Sequence, residues 1–392
     1  MSLPAYHRDC YLTELATLVV DTGEENGRPY AVLEDTILYP EGGGQPADHG
    51  LLGETEIFDV QKTGKEIRHY VSHAVERGPA RLELDWQRRW DHMQQHTAQH
   101  VLTAVALQLF DWRTTAFHLG PTASDIELDV PKIETRDLAR LESAVADEIR
   151  AARPIAYRSA EVADFERLGV RSRRLPEGFS GTVRLVGIEG LDLNKCGGTH
   201  VRTTAEIGTL CLLGTEPMRS GARLFFVAGD RVRTRMADHE ERNWRLRSLL
   251  DTGDDELAEV VELRLAREKE LARTTRLLSE ELAESAASML AATAEATVEA
   301  HWQNRDMAFL QRVARRLAED APDKRTLLTS GNDGDAVFVV IAGEASGVDP
   351  ADVGTRIAEV LGGRGGGRSP IFQGKAGSLA RRDDALALLR DA

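Results

Sequence analysis

The sequence is poor in several features, and each shortage excludes a class of protein. Three cysteines among 392 residues are too few for a disulfide framework, which argues against a small secreted scaffold. No apolar run approaches the roughly 20 residues that span a bilayer. The N-terminus lacks the charged start and apolar core of a signal peptide. We therefore expect a cytoplasmic protein with reduced cysteines.

A net positive charge and several common catalytic signatures are also missing. The net charge of −15 by itself argues against a nucleic-acid partner, although net charge says nothing about charge distribution. The chain has no Gly-x-Ser-x-Gly elbow, no Walker phosphate loop and no dinucleotide fingerprint. With 42% hydrophobic and 29% charged residues, its 392 residues suit two or three globular domains.

Two short clusters, far apart in sequence, carry metal-ligand chemistry. His96 and His100 lie four residues apart in a predicted helix over 91–110, so both imidazoles project from one face. They point away from the apolar face that Val101 and Val105 share, which disfavours core histidines. Plain solvent exposure remains an alternative for this pair.

The second cluster, Cys196-Gly197-Gly198-Thr199-His200, follows a predicted strand over 183–188. Its glycines allow a tight turn and a close backbone approach, as a ligand loop needs. Together the two clusters supply three imidazoles and one thiolate, a complete tetrahedral set that favours zinc. If all four bind at once the site is closed, as in a structural zinc site, so sequence leaves a catalytic and a structural zinc both open.

Residues 1–88 alternate in polarity between turn residues, which predicts a small β-barrel. Within it, Gly42, Gly43 and Gly44 precede Gln45, and their N–H groups are free to approach a ligand closely. The alternative is a flexible hairpin loop. The predicted strands are 15–20, 28–34, 56–61, 67–71 and 80–84.

Residues 89–230 hold both clusters and read as an α+β domain. Strands are predicted near 115–120, 125–130, 208–213 and 223–228, with a helix over 135–152. A basic stretch precedes the second cluster and is either a solvated face or a phosphate contact. It contains Arg167, Arg171, Arg173 and Arg174.

Two further segments complete the chain. Residues 231–318 carry an imperfect heptad pattern, which predicts a helical or coiled-coil arm. Residues 319–392 predict a small α/β domain. Within it, positions 361–382 hold five basic residues, seven glycines and no acidic residue. This local positive patch favours a flexible clamp on an RNA backbone over a disordered glycine-rich loop.

These motifs, in this order, resemble the alanyl-tRNA editing family, which comprises the AlaX proteins and the editing half of alanyl-tRNA synthetase. The matching features are the stretch 39–50, the two histidines and the Cys-Gly-Gly-Thr-His cluster. The stretch 362–377 is similar to the tRNA-binding C-Ala domain, so the long AlaX form matches best. The chain departs from the family pattern at Leu38, often Phe, and at Arg364, often Lys.

The resemblance implies an α+β multidomain protein with four parts. These are a translation-factor-like β-barrel (1–88), a zinc-binding editing domain (89–230), a helical arm (231–318) and a C-Ala-like domain (319–392). It implies one Zn²⁺ on His96, His100, Cys196 and His200. It also implies tRNA contacts that we assign to Gly42, Gly43, Gly44, Arg364, Arg368 and Lys375.

The implied activity is hydrolysis of the ester in Ser-tRNA(Ala), and also of Gly-tRNA(Ala), without ATP. Gln45 is expected in the catalytic pocket, and Thr36 is the match for a threonine that reads the serine hydroxyl. A pocket that bonds this hydroxyl leaves a polar group unpaired when alanine enters, so it rejects alanine. No adenylate-forming module precedes Met1, so we expect no tRNA charging. A homodimer through the arm or the C-terminal domain is a further expectation.

Two rivals come from other classes of protein. One is a non-catalytic RNA-binding protein in which zinc is structural. The other is a hydrolase of D-amino-acid or small esters that acts without tRNA, which the glycine-rich tail disfavours.

Overall fold

The computed structural model describes residues 3–161, 168, 170–171, 181–332 and 334–392. Its internal contacts divide the chain into two compact units, Met1–Arg245 and Leu246–Ala392, called here the N-terminal and C-terminal units. Among the described residues, no helix combines the length and the apolar character that crossing a membrane requires. The four-part division drawn from the sequence stays a prediction.

The N-terminal unit begins with a short helix, α1 (Ala5–Arg8), and a closed six-stranded barrel of strand order β1-β2-β5-β4-β3-β6. Alternate residues such as Val19, Ile57 and Leu82 fill its core. The predicted α+β class and the predicted barrel are confirmed, with one strand, β3, that the alternation pattern missed because it has only three residues. The strands are β1 (Glu14–Glu25), β2 (Arg28–Leu33), β3 (Gly50–Leu52), β4 (Thr55–Thr63), β5 (Glu66–Val71) and β6 (Gly78–Leu84).

Helix α2 (Trp86–Phe110) follows the barrel and carries His96 and His100. It begins where the Asp85 carboxylate accepts the N–H of Arg88, and it ends at Asp111 in a left-handed conformation. Residues 92–106 of this helix are all buried, so its polar face is covered as well as its apolar face. The alternative of solvent-exposed histidines is therefore wrong.

Two further sheets and a helix pack around α2. One sheet has the order β12-β13-β8-β7 and the other β11-β10-β9. Leu102 and Val105 of α2 share a core with Leu141 and Phe226. The elements are β7 (Thr114–Leu119), β8 (Ser124–Leu128), α3 (Thr135–Arg150), β9 (Ile155–Glu161), β10 (Thr182–Ile188), β11 (Asp192–Lys195), a 3₁₀ turn (Thr204–Ile207), β12 (Leu210–Met218) and β13 (Gly221–Ala228).

The C-terminal unit is a five-stranded sheet of order β14-β15-β16-β18-β17 with helices on both faces. Val339 and Ile341 of β16 face one helical layer, and Phe338 and Val340 face the other. Helix α4 (Asp230–Leu250) runs from one unit into the other. The remaining elements are α5 (Leu257–Ala291), β14 (Thr297–Trp302), α6 (Met307–Asp320), β15 (Arg325–Ser330), β16 (Ala336–Ala342), a 3₁₀ turn (Glu344–Ser346), α7 (Pro350–Val360), β17 (Arg364–Arg368), β18 (Ile371–Ala376) and α8 (Arg382–Arg390).

The predicted arm over 231–318 differs from the structure at its C-terminal end. The long helices stop at Ala291, and β14 then pairs in parallel with β15. Helix α6 covers the same sheet through Phe309 and Val313. A six-residue strand in a helix-rich segment has no local signal, because its partner lies more than 20 residues away.

The glycine-rich stretch also differs from the predicted flexible clamp and from its alternative, a disordered loop. Residues Arg364–Arg368 form β17, a fully exposed edge strand that pairs antiparallel with β18. Glycine is required there because a Cβ on Gly365 would lie 2.6 Å from the Phe372 ring and 2.6 Å from Gln373 O. The patch is thus an ordered hairpin, and its contact with tRNA stays a prediction.

Candidate metal centre

The four predicted ligands come together in one buried cluster. Their ligand atoms all lie within 4.8 Å of one another. Cys196 Sγ lies 3.3 Å from both His96 Nε2 and His200 Nε2. Tetrahedral zinc with bonds of about 2.0–2.3 Å places its ligand atoms about 3.3–3.8 Å apart. The donor set and its spacing therefore fit zinc.

Neighbouring side chains fix how the imidazoles point. Gln45 Oε1 accepts a hydrogen bond from His96 Nδ1 (2.9 Å), and the Thr97 hydroxyl is hydrogen-bonded to His200 Nδ1 (3.1 Å). Because an amide oxygen can only accept, the first bond puts the His96 ring proton on Nδ1 and leaves its Nε2 lone pair facing the cluster. Residues that do not themselves bind the ion thus orient both rings.

The third histidine has an acidic neighbour instead. His100 Nδ1 lies 3.4 Å from Asp192 Oδ2, and Arg171 holds both oxygens of this carboxylate at 2.7 and 2.9 Å. Burial alone would raise the pKa of Asp192, but Arg171 and His100 lower it to about 2. The carboxylate is therefore charged at neutral pH and orients His100.

The charges inside the cluster shift its own groups. Burial opposes the Cys196 thiolate, but His96 and His200 outweigh it and hold the pKa of Cys196 well below its usual range. Burial lowers the pKa of His200 to about 3. For His100, burial is outweighed by Asp192 and Cys196, which raise its pKa to about 9. A thiolate and a neutral imidazole are the forms that bind zinc, so Cys196 and His200 are already in the binding form, whereas His100 must release a proton when the ion binds.

The ligand loop passes so close to His96 that only glycine fits at one position. A Cβ on Gly198 would lie 2.2 Å from His96 Cε1, whereas a Cβ on Gly197 would meet nothing within 4 Å. The Gly198 N–H lies 3.3 Å from Cys196 Sγ and donates to the sulfur. Gly198 is thus required by the close contact with His96, whereas the structure leaves room for a side chain at Gly197.

The barrel loop places Gln45 against the metal cluster. Gly42 and Gln45 exchange backbone hydrogen bonds of 3.0 Å, and Gly43 and Gly44 have φ values of 59° and 84°, which makes a tight turn. Gln45 is 1% exposed, and its amide also donates to Thr199 Oγ1 at 2.9 Å. The predicted alternative of a flexible loop does not describe this turn.

A buried ion pair joins this loop to α2. Asp48 and Arg89 are both 0% exposed, and the guanidinium also donates to Cys10 O (2.8 Å) and Ile37 O (2.6 Å). The Asp48 carboxylate accepts the N–H of Tyr39 at 2.6 Å. The pair therefore fixes the barrel to the helix that carries two of the ligands.

Thr36 lies in the barrel, and its hydroxyl is already engaged there. It lies 2.8 Å from His69 Nε2 and accepts the N–H of Leu38 at 3.0 Å. His69 Nδ1 faces Ala31 O at 3.2 Å, so Nε2 is the acceptor and the Thr36 hydroxyl is the donor. Within the described chain, no hydrogen bond joins Thr36 to Gln45 or to the ligands. Its serine-reading role stays a prediction.

The remaining predicted residues lie elsewhere. Arg364, Arg368 and Lys375 are exposed on the β17–β18 hairpin of the C-terminal unit. Arg171 contacts Asp192, while the other three arginines of the basic stretch lie outside the described residues. Sequence reasoning did not single out Thr97, Asp192 or Thr199. For Thr97 and Thr199 a signal existed, since each is a hydrogen-bonding residue inside a ligand motif.

A second group of possible ligands, His118, Asp125 and Glu127, is less suited to a metal. Arg223 lies 3.4 Å from the Asp125 carboxylate and 2.7 Å from that of Glu127, so the two carboxylates already share one cation. A cavity of about 820 Å³ lies beside the C-terminal half of α2 and is lined by residues that include Thr103, Leu107, Trp112, Arg113 and Asp192.

Comparisons with known proteins relate part of the chain to a domain of aminoacyl-tRNA synthetases and nearly all of it to a set of editing proteins. Residues 183–225 match the family model described as Threonyl and Alanyl tRNA synthetase second additional domain. The chain is 36% identical to the alanyl-tRNA editing protein Aarsd1 of Danio rerio over 98% of its length and 96% of that protein. It is 28% identical to the alanyl-tRNA editing protein AlaX-L of Pyrococcus horikoshii, over 98% of both chains.

A solved structure of the C-Ala domain from Aquifex aeolicus alanyl-tRNA synthetase is similar to 24% of this chain and 87% of that chain. The identity is 21% and the TM-score 0.23. Because the chain is 35–36% identical to Aarsd1 proteins over nearly its full length, it belongs to the alanyl-tRNA editing protein family.

Proposed function

We propose that this chain is a cytoplasmic deacylase that hydrolyses the ester of Ser-tRNA(Ala), with Gly-tRNA(Ala) as a second substrate, and that it uses one Zn²⁺. The observation that carries the proposal is the convergence of four ligand atoms within 4.8 Å beside the glycine turn. The names of the relatives, alanyl-tRNA editing proteins, supply the substrate class.

His96, His100, Cys196 and His200 would hold the zinc. When bound, the ion would position the ester and, with one protein ligand displaced, would act as a Lewis acid on its carbonyl. Gln45 keeps His96 oriented through the 2.9 Å bond to Nδ1. His96, His100 and His200 are each at most 2% exposed, so the protein excludes water around them. Excluding water strengthens the electrostatic interactions within the site.

The glycine turn offers donors for the substrate. Gly43 and Gly44 are exposed, and no hydrogen bond within the described part of the chain uses either N–H group. Consecutive free N–H groups bind anionic or carbonyl oxygen. A Cβ on Gly44 would lie 2.8 Å from Phe117 O, so the turn can lie this close to Phe117 only with glycine at position 44. We assign the turn to the ester or the adjoining phosphate.

The β17–β18 hairpin supplies cations for the body of the tRNA. Arg364 lies directly opposite Lys375 in the register, and both are exposed. Residues opposite each other in an antiparallel pair share a face of the sheet. This doubled charge suits a phosphate backbone, and its contribution weakens with added salt.

The test is deacylation of Ser-tRNA(Ala) beside Ala-tRNA(Ala). We expect fast loss of serine, sparing of alanine, and loss of activity in His96→Ala. The matched control is His118→Ala, which removes an exposed histidine 2.9 Å from Asp125 and leaves the cluster intact. A folded, zinc-loaded protein that turns over neither substrate would refute the proposal.

The alternative is a non-catalytic RNA-binding protein with a structural zinc. The observation that favours it is the donor set itself, since four protein ligands saturate a tetrahedral ion. On that hypothesis, chelation unfolds the N-terminal unit and tRNA binding does not depend on the 3′ amino acid. Circular dichroism with and without chelator, together with binding of charged and uncharged tRNA(Ala), separates the two.

A further inference from the structure

The loop that carries Cys196 contains two consecutive glycines, yet side chains outside the loop hold it. Arg184 Nη1 donates to Cys196 O at 2.8 Å and to Gly198 O at 3.0 Å. His7 Nε2 donates to Gly197 O at 2.8 Å. Three successive carbonyl groups are thus bound from outside the loop.

The opposite side of the same loop is held by its N–H groups. Gly198 N–H donates to Cys196 Sγ at 3.3 Å, and Thr199 N–H donates to Gln45 Oε1 at 3.1 Å. Glycine loses more conformational freedom on ordering than any other residue, so this loop does not hold its shape without external contacts. The carbonyl contacts and the N–H contacts together define where the sulfur lies.

We propose that Arg184 and His7 are positioning residues that hold the Cys196–Gly198 carbonyls and so keep the Cys196 sulfur in place for the metal. This inference deepens the proposed function and rests on its zinc site. Neither residue touches a ligand atom in any described contact, and neither belongs to the motifs that carry the ligands.

Arg184 is suited to this role because its own position is fixed. It lies on β10, and the N–H of Cys196 donates to its main-chain carbonyl at 3.3 Å. Its guanidinium carbon lies 4.2 Å from the centre of the Tyr157 ring, a cation–π contact. One residue therefore anchors the loop through both its main chain and its side chain.

His7 reaches the loop from a different element. It lies on α1, 190 residues away in sequence, and is half-buried with its ring 4.4 Å from that of Tyr6. Since Arg184 and His7 come from separate elements, the two bonds restrain the loop from two directions. Loss of either is expected to loosen the sulfur without removing a ligand.

The test replaces zinc by Co²⁺, whose visible spectrum reports thiolate ligation and tetrahedral geometry. The variants are Arg184→Ala, His7→Phe and His7→Gln, whose amide N–H reaches close to the position of Nε2. The matched control is Arg158→Ala on β9, an exposed arginine opposite Leu185. The readouts are the thiolate-to-cobalt charge-transfer band and Co²⁺ affinity in competition with a chelator.

We expect Arg184→Ala and His7→Phe each to alter the charge-transfer band and weaken Co²⁺ binding about 10-fold. His7→Gln is expected to restore most of the charge-transfer band and most of the Co²⁺ affinity. The Co²⁺ affinity of Arg158→Ala is expected to stay within about twofold of that of the parent, since Arg158 has no described contact with the ligand loop. Parent-like spectra and affinities in Arg184→Ala and His7→Phe would overturn the proposal.

This design keeps three outcomes apart. If Arg184→Ala does not fold, the His7 pair decides, because His7 is only half-buried and its substitution removes no core side chain. If the parent chain binds no Co²⁺, the inference falls together with the zinc site. If it binds Co²⁺ with the expected spectrum but leaves Ser-tRNA(Ala) intact, the proposed activity falls and the positioning role stands.

Discussion

Replacing Gly198 by alanine is expected to weaken metal binding strongly while leaving the fold in place. The new Cβ would lie 2.2 Å from His96 Cε1, 2.4 Å from His96 Nδ1 and 2.8 Å from Gln45 Oε1. Carbon atoms in contact lie about 3.5 Å apart or more, so the His96 ring must move by about 1 Å. Metal–ligand distances tolerate only about 0.2 Å.

The consequence for metal binding is larger than the consequence for stability. A displaced ligand, with its bond to Gln45 broken, lowers zinc affinity by about 100-fold or more. Overpacking of this kind costs about 1–3 kcal/mol of folding free energy, a loss of a few degrees in Tm for a unit of this size. Zinc affinity by chelator competition and Tm by circular dichroism measure the two effects.

Gly197→Ala is the matched control. Its Cβ would meet nothing within 4 Å and its φ is not positive, so zinc binding is expected to stay at the parent level. Equal zinc affinities for Gly198→Ala and the parent would refute the reasoning, because the loop would then lie farther from His96 than the structure shows.

Three further predictions follow from other contacts. Gln45→Leu keeps the side-chain volume but loses the bond to His96, so zinc affinity should fall about 10-fold, measured by chelator competition; unchanged affinity would exclude an orienting role. Arg89→Ala leaves the buried Asp48 charge uncompensated and should cost about 3–5 kcal/mol in urea unfolding, against little effect for the exposed Arg158→Ala; a loss below about 1 kcal/mol, the value of a surface pair, would contradict it. Burial lowers the pKa of His69 to about 4 in the folded state against an unfolded value of 6.5, so folding stability is full above pH 6.5 and declines as pH falls to 4. His69→Phe should remove that part of the acid sensitivity, and urea unfolding from pH 7 to 4 that is equally pH-dependent in the variant would contradict it.

Much of the fold and of the candidate site was predictable from local sequence patterns. The i, i+4 spacing of His96 and His100 needs only a helix to place both rings on one side, and 3.6 residues per turn fixes this geometry without tertiary contacts. The alternation of polarity in residues 1–88 likewise needs only a period of two to predict strands. The β-barrel and the α+β class followed from such patterns.

Patterns failed where pairing or packing over long distances decides the structure. The strand β14 exists because β15 pairs with it in parallel, and β17 is a strand because β18 lies beside it. The polar face of α2 is buried because two sheets and the barrel loop cover it. A sequence read locally shows only the preference of each segment, and tertiary contacts override weak preferences.

The sequence by itself determined which residues have the chemistry to bind a metal and which helix and loop carry them. Only the tertiary structure decided that these residues meet, and which neighbours orient them: Gln45 on His96, Thr97 on His200, and Asp192 on His100. The physical reason is range. Ligand identity and helical spacing are local properties, whereas the orientation of an imidazole depends on a hydrogen-bond partner in a barrel loop 51 residues away and on a charged neighbour in a strand 92 residues away.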